Sequence, residues 1–437
     1  MKIEMNKYPV YRDSGVEWLG EIPEHWETLK YKIITSVFNG DSLNDSQKKK
    51  YESEELNDLP YISSKDVDVH FSTITYNNGL KIPKENIKLK IVPKYSAILC
   101  IEGGSAGRKI AFTEEEVCIV NKLACFNAKT KESSKYIYYT LKSDLFQTQF
   151  RIAMSGIIGG VAISSIKNFT ITYPPIKEQI SISNFLDCKM SLINNTVRLK
   201  EKQIELLKER RQILIHRAVT RGLNAEIKLK DSGVEWIGEI PVHWEAVSNF
   251  AQFKERNEPG NESLTILSVS IHTGVSSEEL SEEKNIRGKN RIDDKSNYKH
   301  VKINDIVYNM MRAWQGGIGA VHVNGMVSPA YVVAEPTGNI DADFFEYQYR
   351  TSGFIQQMDR HSKGITDFRK RLYWNEFKQL KTIFPPLSEQ KDIVSYIENI
   401  TIKIATAISL KEQEIEKLKE YRSVLINEAV TGKIKIV

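Results

Sequence analysis

Cysteine is scarce in this chain. Its 437 residues contain four, Cys100, Cys118, Cys125 and Cys188, and no two form a CxxC pair. A disulfide framework and a zinc knuckle are thereby excluded. A reducing, cytoplasmic setting is expected. No run of about 18 apolar residues occurs, so no membrane span is expected. The opening MKIEMNKYPVYRDSG lacks the apolar centre of a secretory leader. The eight histidines form no HExxH pattern, and no metal set is expected around His25 or His243. Gly103 to Lys109 reads GGSAGRK, which misses the GxxxxGK[ST] spacing of a phosphate loop. Tyr173-Pro174-Pro175 and Phe384-Pro385-Pro386 lack the amide of the Asn-Pro-Pro-aromatic loop of amino-methyltransferases. No catalytic constellation remains. The chain reads as a binder.

What the chain does have is a large internal repeat. Asp13 to Glu27 reads DSGVEWLGEIPEHWE and Asp231 to Glu245 reads DSGVEWIGEIPVHWE, differing only at Leu19/Ile237 and Glu24/Val242. PPIKEQ from Pro174 and PPLSEQ from Pro385 follow in the same order. Solenoid units repeat every 20–50 residues or so; this spacing is that of a duplicated domain. Tryptophans at 18, 26, 236 and 244 are expected to pack each opening motif onto its domain. His25 and His243, beside them, are expected to be structural.

Between the matched segments lie two bodies, residues 28–173 and 246–384, that share little sequence. Short runs rich in β-branched and aromatic residues predict strands at 95–101, 117–128, 303–311 and 326–334. Helices are predicted over 135–150 and 341–357. The fold class is therefore α+β, with two tandem bodies. The expected domains are 1–173, a spacer helix 174–223, 224–384, and a second spacer helix 385–437.

From each Pro-Pro a heptad pattern runs for more than four repeats. The first copy places Leu186, Met190, Ile193, Val197, Lys200, Ile204, Leu207, Arg211, Leu214 and Ala218 on the seam. The second places Ile397, Thr401, Ile404, Ile408, Lys411, Ile415, Leu418, Arg422, Leu425 and Ala429 there. Even the polar slots agree, except that Thr401 stands opposite an apolar residue. Gly222 and Gly432 sit where C-terminal caps belong. Each seam spans roughly 48 Å. Two such helices in one chain are expected to pair antiparallel with a pseudo-twofold relation; the alternative is that each packs only on its own body.

The combination resembles the specificity subunit of type I restriction-modification systems. The residues that carry the likeness are Ser14 to Trp26, Ser232 to Trp244, the PPIKEQ and PPLSEQ helix starts, LKEKQIELLKERRQILIHRAVT (Leu199 to Thr220) and LKEQEIEKLKEYRSVLINEAVT (Leu410 to Thr431). The likeness covers essentially the whole chain. It implies two target-recognition domains spaced by two antiparallel helices, reading a bipartite double-stranded DNA target whose gap is set by helix length. It implies two modification (methyltransferase) subunits and restriction/translocase subunits as partners. It also implies S-adenosylmethionine, ATP and Mg²⁺ used by those partners, with none bound by this chain.

On that reading, turns carrying polar and basic side chains are the candidate DNA contacts. In the first body these are Ser105, Arg108, Asn121, Lys122 and Arg151. In the second they are Asn309, Arg312, Gln315, Ser328, Lys363, Thr366, Arg369, Lys370 and Arg371. The net charge of +5 is only mildly basic. Basic residues cluster at 284–302 and 360–371, which suits a polyanion or a solvated loop face. A coiled-coil scaffold whose bodies bind protein partners is the alternative function.

Overall fold

The computed structural model describes residues 6–51, 58–84, 88–155, 159–261, 263–277, 297–364 and 370–436. The chain divides into two compact units: Met1–Glu201 with Lys411–Val437, and Lys202–Leu410.

In the first unit the central sheet runs Thr35–Asn39, Leu123–Ala128, Ser96–Cys100, Ile110–Thr113, all antiparallel. A second sheet pairs Leu59–Ile62 parallel with Val117–Ile119 and is flanked by Lys81–Ile82 and Ile91–Val92. Ile62, Val92, Ile98, Cys100, Ala111, Val117 and Cys125 pack in one core. Three of the scarce cysteines are thus small apolar core residues. Helices Lys131–Thr140 and Asp144–Ala153 are capped by the hydroxyls of Thr130 and Ser143.

The second unit repeats this plan with different residues. Its sheet runs Phe253–Glu255, Tyr331–Pro336, Ile306–Asn309, Ile318–Ala320, again antiparallel and in the same order along the chain. Helices Ala342–Tyr349 and Ser352–His361 match the pair in the first unit. Among the described residues the second layer contains two strand pairs, Leu267–Ser270 with Gly274–Ser277 and Lys299–Val301 with Gly325–Val327. Each predicted strand and helix run contains an observed element, although 117–128 and 326–334 split into two strands and both helical runs break into two helices.

The opening motifs fold alike. Tyr11–Asp13 pairs with Glu21–Pro23, and Leu229–Asp231 with Glu239–Pro241. Trp26 and Trp244 are fully buried, as expected of packing residues. Trp18 corrects that expectation: it is 54% exposed. Its counterpart Trp236 meets Phe354 edge-on at 5.2 Å. Trp18 instead stands over a cavity of about 170 Å³, lined also by Asp144, Thr148, Asn427 and Lys433.

The long helices are Ile176–Arg221 and Leu387–Val430, each starting directly behind its Pro-Pro. Gly222 and Gly432 end them at φ +73, the left-handed geometry that glycine adopts without strain. Every seam position is buried or half-buried, while Leu192, Leu199, Leu206 and Ile213 beside the seam are at least half exposed.

Within the first unit the start of the first helix lies by the end of the second. Thr172 Oγ1 and Tyr136 Oη both donate to the Val430 carbonyl. Farther along, Lys200 meets Glu414 at 2.6 Å. Within the second unit Ala218 and Val219 share a core with Ile393, Val394 and Ile397. Both units therefore pair their helix segments antiparallel. One stretch of Leu387–Val430 is long and apolar enough to cross a membrane by length and composition alone. Part of that apolar content is spent in the second unit's core.

Candidate nucleic-acid interface

Each opening motif is clamped to the first turn of its long helix. Trp26 Nε1 donates to Glu178 at 3.0 Å, and His25 Nε2 lies 2.6 Å from the other oxygen. Trp244, His243 and Glu389 repeat the arrangement at 3.0 and 2.6 Å. Tyr8 adds a third bond to Glu178 at 2.7 Å. Burial pushes the Glu178 carboxyl up, but bonds from Tyr8, Trp26 and His25 outweigh it and hold its pKa below the usual range. Both histidines are thus hydrogen-bonded structural residues.

These clamps fix the base of each body. The candidate contact residues gather around the tip of the central hairpin in each unit. In the first unit the turn after Ser96–Cys100 is tied by Gly103 N–H to the Gly159 carbonyl at 2.8 Å and by Ile101 N–H to the Lys122 carbonyl at 2.9 Å. Gln147 Nε2 donates to the Gly107 carbonyl at 2.9 Å, which brings in the helix carrying Arg151. Ser105, Arg108, Lys122 and Arg151 thus belong to one set of interlinked turns. Arg108, Lys122 and Arg151 are exposed. Arg108 donates to the Gly104 carbonyl, Lys122 approaches Glu102 at 3.5 Å, and Arg151 reaches Thr148 at 3.2 Å. Asn121 is half-buried, and its carbonyl accepts from Asn39 at 3.4 Å.

The second unit builds its tip at Asn309 to Gly317. Asn309 N–H donates to Gly317 at 2.9 Å, and Asn309 Oδ1 accepts from Met311 N–H at 2.9 Å. A Cβ at Gly317 would lie 2.9 Å from the Arg312 side chain, so the turn closes only around glycine. Arg312 is exposed and donates to Gln315 Oε1 at 2.8 Å. Met310 joins two further segments: its N–H meets the Ala330 carbonyl at 3.2 Å and its carbonyl accepts from Leu372 N–H at 2.9 Å. Those bonds bring Ser328, Lys370 and Arg371 to the same tip. Lys363 and Arg371 bridge each other's backbones at 2.9 Å. Lys363 pairs with Glu376; Lys370 pairs with Asp359 at 2.7 Å and lies 5.2 Å above the Trp314 ring. Thr366 and Arg369 lie outside the described residues, as does most of the basic stretch 284–302. The described end of that stretch is ion-paired: Lys302 with Glu258 at 3.0 Å and Lys299 with Glu255 at 4.0 Å.

Sequence reasoning missed Trp314 and Glu346. Glu346 props the hairpin through Ala320 N–H at 2.8 Å and binds Arg350 at 2.8 Å. It also stands with His322 and Asp343, their ligand atoms within 4.8 Å of one another. Both Glu346 oxygens already accept these bonds, which explains the cluster as hairpin support.

Two different tips thus stand on one repeated frame. Residues 23–209 match the family model "Type I restriction modification DNA specificity domain". That match lies in the first half of the chain, and DNA target recognition is the role that it and the relatives below support. The putative type I restriction enzyme MjaX specificity subunit of Methanocaldococcus jannaschii is 23% identical, over 96% of each chain. The StySPI specificity subunit of Salmonella potsdam is 22% identical, covering 87% of this chain and 83% of that one. A structure from a study of type I system assembly and conformational transition aligns at TM-score 0.65 and 13% identity, over 94% of this chain and 98% of that one. The HsdS subunit of Thermoanaerobacter tengcongensis aligns at 0.54 and 14% identity, with the same coverage.

Proposed function

We propose that each unit reads one half of a bipartite duplex target through its hairpin tip, and that the paired long helices set the gap between the halves. The observation that carries this reading is the shared sheet order with dissimilar tips: GGSAGRK at one, MMRAWQGG at the other. Major-groove base edges present distinct donor and acceptor patterns, and an arginine fork suits guanine. Arg312, oriented by Gln315, is the leading contact of that kind. Lys122, Arg151 and Arg371 are assigned to phosphates, which fix register without reading bases. Ser105, Arg108, Asn121, Asn309, Ser328, Lys363, Thr366, Arg369 and Lys370 complete the candidate set.

Catalysis belongs to partner chains on this account. Modification subunits dock on the long helices and methylate; restriction/translocase subunits join them. S-adenosylmethionine, ATP and Mg²⁺ are their cofactors. Replacing Arg312 with alanine tests the assignment in the assembled methylating complex. Discrimination at a single base pair of one half-site should fall by about 1–3 kcal/mol, the other half-site staying intact. Unchanged discrimination removes Arg312 from the readers.

A further inference from the structure

The first unit carries a tight turn that its hairpin tip does not use. Val67 and Ile74 bridge, and Asp68 N–H donates to the Thr73 carbonyl at 2.9 Å. Asp68 Oδ1 accepts from His70 and Phe71 N–H at 2.8 and 2.6 Å. Ser72 holds φ +58, which is uncommon for a residue with a side chain. The turn is therefore preset, and His70, Phe71 and Ser72 each touch a different element. Phe71 lies under the Arg198 guanidinium of the first long helix, 4.4 Å from ring centroid to carbon. The His70 carbonyl accepts from Arg422 of the second long helix at 2.7 Å. Ser72 Oγ accepts from Lys142 Nζ, in the body itself, at 2.8 Å.

Arg422 is one of the matched polar seam slots. At the other slot, Arg211, the buried Nε has no partner among the described residues. The polar slot thus has a use in the first unit that the helix pairing does not require.

We propose that the turn at Asp68 to Ser72 is a strap that locks the first body onto both long helices, and that Phe71, Arg198 and Arg422 are positioning residues for target recognition. Holding the body at two points on two helices fixes the direction in which its hairpin tip faces. A body free to rock would tolerate half-sites at neighbouring separations. The strap therefore narrows the range of gaps the complex accepts, while base reading stays with the tip. This inference rests on the bipartite reading above.

The experiment uses the full chain assembled with its modification subunit. Duplexes carry both half-sites with the gap shortened or lengthened by a base pair or two. The variants are Phe71→Ala, Phe71→Tyr and Arg198→Gln; Arg198 is exposed on its helix, so its loss spares the body's core. Methylation at neighbouring gaps, relative to the native gap, should rise roughly two- to thirtyfold in Phe71→Ala and Arg198→Gln, the range a cation–π pair supports. Phe71→Tyr should restore native selectivity, and half-site sequences should not change in any variant. Unchanged gap selectivity in Arg198→Gln, with both half-sites still read, overturns the strap and leaves the bipartite reading standing. A native chain indifferent to the gap overturns the bipartite reading itself, and the strap with it.

Discussion

At the scale of residues, the repeated motif is explained by a small number of bonds. Glu178→Ala leaves the buried Trp26 indole N–H unpaired. The expected loss is about 1–3 kcal/mol, read as a lower melting temperature. The carboxylate's pKa is depressed in the folded chain, so its contribution is present above the unfolded pKa and fades as pH falls through the folded one. Alanine at Gly222 or Gly432 forces a left-handed side chain, costing about 1–2 kcal/mol. Gly432→Ala should cost more, because its Cβ would meet Pro23 at 2.4 Å whereas the nearest atom at Gly222 is Trp244 at 3.1 Å. Lys142 is also shifted down, but for a cation that shift costs stability where for Glu178 it adds stability. Burial, then Arg422 and Lys135, push its pKa down to about 7 from 10.5. Between those values the unfolded chain holds more protons, so stability should rise with pH through that window. Below it the cost of covering the cation is complete. Lys142→Met should therefore raise the melting temperature most at about pH 7 and below, with the gain shrinking in alkali; a constant difference would contradict the assignment. His25, Trp26 and the glycines were legible because they recur. The strap residues occur once, and their partners lie 70 or more residues away, so no local spacing exposes them.

At the scale of elements, the two long helices were the most legible part of the chain. A heptad needs only one buried face, and burial writes itself into periodicity. Ile193 is buried and its neighbour Leu192 is 61% exposed. Ile193→Ala should cost about 2–5 kcal/mol. Leu192→Ala should stay within about 0.5 kcal/mol, as denaturant titration of the pair would show. The bodies were legible as α+β but not in their sheet order, because strand pairing joins segments distant in sequence. Thr35–Asn39 and Phe253–Glu255, for example, each lie well before the strand they pair with. One heptad added to each helix, after Lys200 and after Lys411, keeps the seam in phase and lengthens it by roughly 10 Å. The methylated gap should widen by about three base pairs; an unmoved gap contradicts the ruler.

At the scale of the whole molecule, a frame stated twice carries two different tips. The net charge of +5 is modest, and affinity is expected to come from local phosphate contacts. Log affinity should then fall against log salt by about 0.9 per contact. The tips resist reading from sequence for a physical reason. A base contact depends on the aim of one guanidinium or amide, and aim is set by turns such as Asn309 to Gly317 rather than by composition. The most direct measurement is methylation mapping of a chimera whose residues 28–173 come from a relative with a different target. The account predicts one new half-site, with the other half-site and the gap unchanged. Changes in both half-sites would contradict it.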